Sequence, residues 1–273
     1  MPVREKGGLY FEVQYSPLDI YFPNVRALFI WYRDGSRLQP VSLFSRLTFL
    51  SLCLDMGAPL DEDEVALRFS ALKTFNLELL DDERIDFLEQ WDMPLLAHFQ
   101  ISMSSFGSNV TSFFTLLAQI GKKLVRLCLR IQREYVDLPS NFWEGMPMLK
   151  YFSTTVLKRD SNFPLPPFGH SLRIFALLKE ESHMDDAREI AYHLAEVWKT
   201  LDTICDCHSW NDVPRSFYDV VNSPDSHPGF YHNHHGTDCW QCIEALYLAC
   251  QKYGLRYEDR EGRTLPSFEA AVV

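Results

Sequence analysis

Basic residues are the minority in this chain: 26 Lys and Arg stand against 37 Asp and Glu, a formal charge of −11 over 273 residues. That balance leaves no clustered cations to hold a phosphate backbone or anionic lipid, so neither nucleic acid nor a membrane surface is an expected partner. A continuous apolar core of signal-peptide type is missing after the opening MPVREKGG. The chain therefore reads as cytoplasmic or nuclear, not secreted. Seven cysteines, an odd number, then fit thiols in a reducing compartment better than a disulfide framework. A Ser nucleophile elbow, a phosphate loop and a dinucleotide fingerprint are also lacking, so no enzyme activity and no cofactor is expected. Charge of either sign is absent from 93–121, a run long enough to span a bilayer. Gln100, Asn109, several serines and Gly107 make it a poor lipid-facing helix.

What the chain has is apolar residues in an LxxLxL-like spacing. Leu47, Leu50 and Leu52 set the pattern; Val25, Leu28 and Ile30 precede it, and Leu72, Phe75, Leu77 and Leu96, Phe99, Ile101 follow. It continues at Leu124, Leu127, Leu129 and at Leu172, Phe175, Leu177. Two units end on a polar residue: Leu149 and Phe152 lead to Thr154, Leu201 and Ile204 to Asp206. First positions are separated by 22, 25, 24, 28, 25, 23 and 29 residues, a near-regular period that signals a repeat architecture.

Several intervals switch to helical spacing, the cue for a strand followed by a helix. DEDEVALRF from Asp61 and DDERIDFLEQW from Asp81 open with carboxylates that favour a helix N-terminus. Val110, Phe113, Phe114, Leu117 and Ile120 share one helical face that Gly121 is expected to end, and Ile190, Leu194 and Val197 form another. Burying one large apolar side chain is worth roughly 1.5–3 kcal/mol. Ordering each of about 25 residues costs on the order of 1–2 kcal/mol in backbone entropy, so no unit is stable alone and stacking is required. The expected fold is α/β: a curved parallel sheet on one face with helices on the other.

The spacing, the aromatic replacements at Phe75, Phe99 and Phe175 and the Trp-rich end make the chain resemble the leucine-rich repeat family. It is most similar to the irregular, helix-containing repeats that follow the F-box in many fungal F-box-like proteins. The resemblance implies a leucine-rich-repeat solenoid over 25–212, about eight irregular repeats, with an amino-terminal capping segment over 1–24 and a carboxy-terminal extension over 213–273. It also implies a noncatalytic protein-interaction module, with substrate recognition in a ubiquitin ligase as its extension. Two features depart from the family. The ladder position eight residues after each first leucine holds Arg33, Asp55, Leu80, Ser104, Gln132, Leu157, Glu180 and Ser209, which precludes a continuous Asn or Cys ladder. No helical F-box precedes the first unit, so the ligase role depends on one being supplied upstream.

In that fold the alternate strand residues face outward and form the expected protein-binding surface: Phe29, Trp31, Phe49, Asn76, Glu78, His98, Gln100, Arg126, Arg130 and Tyr151. Phe29, Trp31 and Phe49 fit two roles, an anchor for a partner or a floor beneath the amino-terminal segment. Arg126 and Arg130 would meet an acidic partner. Near the carboxy terminus, His232, His234, Cys239 and Cys242 have ligand types suited to tetrahedral zinc, which gives an alternative reading as a zinc-binding module on the repeat scaffold. The same cysteines fit an amphipathic helix over 238–253, where Cys239, Cys242, Ile243, Leu246 and Cys250 share a stripe and Gly254 stops it. His234 and Asp238 also match the HxxxD spacing of His-dependent acyltransferases, but Asn233 and Cys239 stand where the fuller signature needs His and Gly.

Overall fold

The computed structural model describes residues 3–5, 8–11, 24–33, 41, 44–55, 66–80, 85–103, 110–131, 138–155, 164–178, 191–192, 194–198, 200–206, 240–259 and 261–264. The chain divides into two compact units, one of residues 1–134 with 140–149 and the other of 135–139 with 150–273. Both are α/β arrangements built on parallel strands.

In the first unit the strands are β1 (Val3–Glu5), β2 (Gly8–Phe11), β3 (Ala27–Arg33), β4 (Phe49–Asp55), β5 (Thr74–Leu79), β6 (His98–Met103) and β7 (Arg126–Ile131). β1 pairs antiparallel with β2, and every later neighbour pair from β2 to β7 is parallel and sequential. The register follows the repeat. Leu28, Leu50, Phe75, Phe99 and Leu127 are successive partners, and Ile30, Leu52, Leu77, Ile101 and Leu129 form the parallel column beside them. The second unit holds β8 (Tyr151–Thr154), β9 (Ile174–Leu177), β10 (Thr203–Cys205) and β11 (Arg256–Glu258), all parallel, with Phe152, Phe175, Ile204 and Tyr257 in register.

All three positions of the repeat are buried in each of the eight units, Thr154 and Asp206 included. Two further regularities appear that the spacing did not reveal. The first residue of a repeat donates its N–H to the carbonyl three residues earlier: Leu47 to Phe44, Leu72 to Phe69, Leu96 to Met93, Leu124 to Gly121, Leu149 to Met146 and Leu201 to Trp198, at 3.0–3.3 Å. Phe44, Phe69, Met93, Met146 and Trp198 are all buried, so the repeat has a fourth apolar position before its first leucine. The carbonyl that precedes each strand also accepts two N–H groups from the next repeat. Arg26 receives Thr48 and Phe49, Thr48 receives Lys73 and Thr74, Lys73 receives Ala97 and His98, and Ala97 receives Val125 and Arg126. Lys150 and Arg173 repeat the device in the second unit. Successive repeats are thereby pinned at the strand entrance, and the alternation of inward and outward residues stays in phase.

Among the described residues between strands, helix is scarcer than the sequence pattern predicts. α1 (Val110–Ile120) forms, with Phe113, Leu116, Leu117 and Ile120 buried. The charge-free run 93–121 thus holds a strand and one eleven-residue helix, and no described helix is long and apolar enough to cross a membrane. Of the helix expected from Asp81, residues 81–84 lie outside the described set and the rest holds a short 3₁₀ helix, Asp86–Gln90. The reason lies in the spacing: Ile85, Leu88 and Trp91 are all buried at three-residue intervals, which suits three residues per turn better than 3.6. Of the segment beginning at Asp61, residues 61–65 lie outside the described set, and 66–69 carry no helix; Arg68 there bridges Asp92, with an exposed ion pair at 3.1 Å. Residues 191–192 and 194–197 are helical, but Val197 is 48 % exposed, and the buried face is Ala191, Leu194, Ala195 and Trp198.

Gly121 does not stop α1 by a left-handed turn; the chain runs on into a 3₁₀ turn, Gly121–Lys123. Glycine is needed there for space, because a Cβ would meet the Gly145 carbonyl oxygen at 2.6 Å and Met146 Cγ at 2.9 Å. Gly254 does act as a stop. After α2 (Trp240–Tyr253) it takes φ +73°, while Leu255 N–H reaches the Cys250 carbonyl at 2.8 Å and Gly254 N–H reaches that of Gln251 at 3.2 Å. These are the two bonds of a Schellman motif, and they turn the chain into β11.

Candidate functional site

The outward residues of β3 to β7 lie in three register rows within the first unit. One row is Phe49, Thr74, His98 and Arg126; the next is Phe29, Ser51, Asn76, Gln100 and Cys128; the third is Trp31, Cys53, Glu78, Ser102 and Arg130. Nine of the ten residues expected on the binding face therefore share one sheet surface. Tyr151 belongs to the second unit, in register with Ile174, Thr203 and Arg256.

The rows have a chemical gradient. At β3 and β4 the Phe29 and Phe49 rings lie 5.2 Å apart, and Trp31 stands 51 % exposed. Glu78, His98 and Gln100 are exposed in the middle, where Thr74 Oγ1 and His98 Nδ1 approach to 3.4 Å. Arg126 and Arg130 are exposed on β7, at alternate outward sites with Cys128 between them. Four residues of extended chain separate the two guanidinium-bearing positions by about 13 Å, and four strand spacings place β7 roughly 19 Å from β3. Glu78 and Arg130 stand two strands apart in the same row, with about 10 Å between their backbones. Cys128, which shares the outward alternation of β7 with the two arginines, is buried, as are Ser153 and Ala176 on the second unit's strands. All three are small side chains.

The second unit carries polar contacts, around Asp206 and on β11, that the repeat spacing did not foresee. Arg256 donates to Thr203 Oγ1 at 2.9 Å and pairs with Glu258 at 3.1 Å. Asp206 is buried, its backbone N–H donates to the Glu258 carbonyl at 2.7 Å, and Tyr257 Oη donates to its carboxylate. β11, which supplies these partners, lies inside the stretch read as an extension. Its signal was Tyr257 and Asp259, two residues apart after Gly254, at the second and third positions of one more repeat.

Of the zinc candidates, His232, His234 and Cys239 lie outside the described residues, as does Asp238 of the acyltransferase spacing; Cys242 is placed only as a backbone position in α2. Among the described residues no group of three or more His, Cys, Asp or Glu side chains is arranged to hold a metal ion. At the far end of that helix Leu246 and Cys250 are buried, and burial pushes the Cys250 thiol from 9.0 up to about 12. A raised thiol value means the neutral form is favoured by folding. Its contribution to stability is complete below pH 9 and is lost as pH rises toward 12. At pH 8, iodoacetamide should label the half-buried Cys53 and leave Cys250 unmodified in the folded protein, as peptide mass spectrometry will show. Labelling of Cys250 at the rate of Cys53 would contradict the burial.

No protein-family model matches the chain, and no curated protein matches it.

Proposed function

We propose that the chain is a leucine-rich-repeat solenoid, concave on its sheet face and helix-lined on the other, that recognises another protein without catalysing a reaction. The observation that carries this reading is the in-register surface of the first unit, with aromatic residues at one edge and two arginines at the other. Aromatic and Arg side chains are the types that most often anchor protein interfaces, because they bury large areas with few rotatable bonds or make forked hydrogen bonds. A partner spanning the rows would place apolar groups on Trp31, Phe29 and Phe49 and acidic groups on Arg126 and Arg130. The resemblance to repeats of F-box-like proteins extends the proposal: that partner would be a substrate presented for ubiquitination, provided an F-box is supplied.

The test is proximity labelling in cells with the intact chain and with the Arg126→Glu, Arg130→Glu double variant. Labelled partners should be lost from the variant, while its melting temperature stays within a few degrees because both positions are exposed. An unchanged partner set would remove the arginines from the interface.

A further inference from the structure

The segment Pro164-Leu165-Pro166-Pro167-Phe168 joins β8 to β9 and is five consecutive apolar residues, of which Leu165 is 54 % exposed and Phe168 102 %. Single exposed apolar residues are ordinary; an unbroken apolar run with a fully solvated phenyl ring is not. Its backbone is restricted by covalent chemistry. Pro164, Pro166 and Pro167 each fix φ near −65°, and residues 165 and 166, which precede prolines, are driven away from helical angles. Residues 164–167 accordingly form neither helix, strand nor turn. These restrictions favour polyproline II, and in that conformation, with three residues per turn, Leu165 and Phe168 would fall on one edge about 9 Å apart.

The base of the loop is held firmly. Gly169 takes φ +83°, and His170 N–H donates to the Pro167 carbonyl at 3.0 Å, closing a turn with Phe168 at its apex. The His170 ring is buried and its Nδ1 accepts the Leu172 N–H at 3.2 Å. Thr200 Oγ1 lies 3.5 Å from the His170 carbonyl, receives Trp198 Nε1–H at 2.9 Å, and its own carbonyl accepts from Arg173 at 3.1 Å. Polar groups thus tie down the two residues after the apex, while Leu165, Pro167 and Phe168 stay exposed and Pro164 and Pro166 are half-buried.

From this we infer that residues 164–168 are a docking motif for a protein domain that reads polyproline II helices in a groove lined with aromatic rings. Proline rings pack on aromatic faces, and an edge with Leu165 and Phe168 supplies two further apolar anchors. Because the chain is already extended, little conformational entropy is lost on binding. Arg173, five residues after Phe168, is engaged with Asp202 at 3.7 Å and with Thr200, so the proposed recognition uses the apolar ridge and not this guanidinium.

The experiment measures binding of the full chain to a panel of purified SH3, WW and EVH1 domains by titration calorimetry. At least one domain should bind with a micromolar dissociation constant. Pro167→Ala with Phe168→Ala should weaken that complex tenfold or more while leaving the melting temperature unchanged. The Arg126→Glu, Arg130→Glu variant should bind like the unaltered chain, which separates this motif from the sheet face. Three results would overturn the inference: no binding across the panel, binding that survives the Pro167/Phe168 substitutions, or a concentration-dependent dimer of the chain that Phe168→Ala abolishes.

Discussion

Phe75→Ala is expected to lower the unfolding free energy by about 3–5 kcal/mol, the usual cost of deleting a buried phenyl ring and leaving its cavity. Phe75 is fully buried at the second repeat position of β5. Its ring stacks on Phe99 of the next strand at 5.7 Å and lies 5.7 Å from Trp91, which in turn touches Phe69 and Phe87. Two successive repeats and the 3₁₀ turn between them meet at this side chain, and a rigid ring cluster of this kind relaxes poorly into a void. Phe49→Ala, on the outward face of β4, should cost under about 1.5 kcal/mol, since that ring is half-exposed and leaves no closed cavity. Urea unfolding followed by Trp fluorescence distinguishes the two. Equal losses would show that the inward column is not the core of the repeats.

The inward column was legible because its physics is local and periodic. A two-residue alternation recurring every 22 to 29 residues has few explanations besides parallel strands in register, and each position from Val25 to Asp206 is buried. What failed was the chemistry between strands. Carboxylate-rich starts predict helix by their effect on the dipole, but at 85–91 burial at three-residue spacing decides the geometry. At Gly121 the controlling fact is a carbonyl from residue 145, which no local window contains. Val197 was assigned to an apolar face on spacing alone, whereas two alanines, Ala191 and Ala195, take the close-packed positions. The two-carbonyl pinning at strand entrances is invisible for a different reason: backbone atoms make it, and any residue can.

The candidate surface was legible only as a list of outward positions. Alternation says which side of a strand a residue takes, and the register then assembles nine of them into rows. Neither says how deep a side chain sits: Cys128 is buried where Arg126 and Arg130 are exposed. The exposed polyproline segment escaped for the opposite reason: it belongs to no repeat position, and its solvation depends on the His170 and Thr200 contacts that hold its base.

Asp259→Ala is expected to cost about 3 kcal/mol, the second large effect. Asp259 stands two residues after Tyr257, at the third repeat position, and is buried like the residues that hold that position elsewhere. Its carboxylate is satisfied by the loop it closes. Oδ1 accepts the N–H groups of Glu261 and Arg263 at 3.0 and 2.8 Å, and Oδ2 accepts Arg263 Nε at 2.8 Å. Gly262 at φ +79° lets the chain reverse, and the Asp259 N–H returns to the Arg263 carbonyl at 2.8 Å. Removing a buried hydrogen-bonded carboxylate costs about 3–5 kcal/mol when its partner stays buried. Arg263 is 43 % exposed and can rehydrate, which places the loss at the low end of that range. Asp259→Asn retains an acceptor for both backbone N–H groups and should cost roughly half as much. Amide exchange sharpens the test. The Asp206 N–H, bonded to the Glu258 carbonyl, should exchange faster in Asp259→Ala, while amides of β4 and β5 should not change. A loss under 1 kcal/mol with an unchanged Asp206 amide would mean that the last repeat does not depend on the carboxylate at its third position.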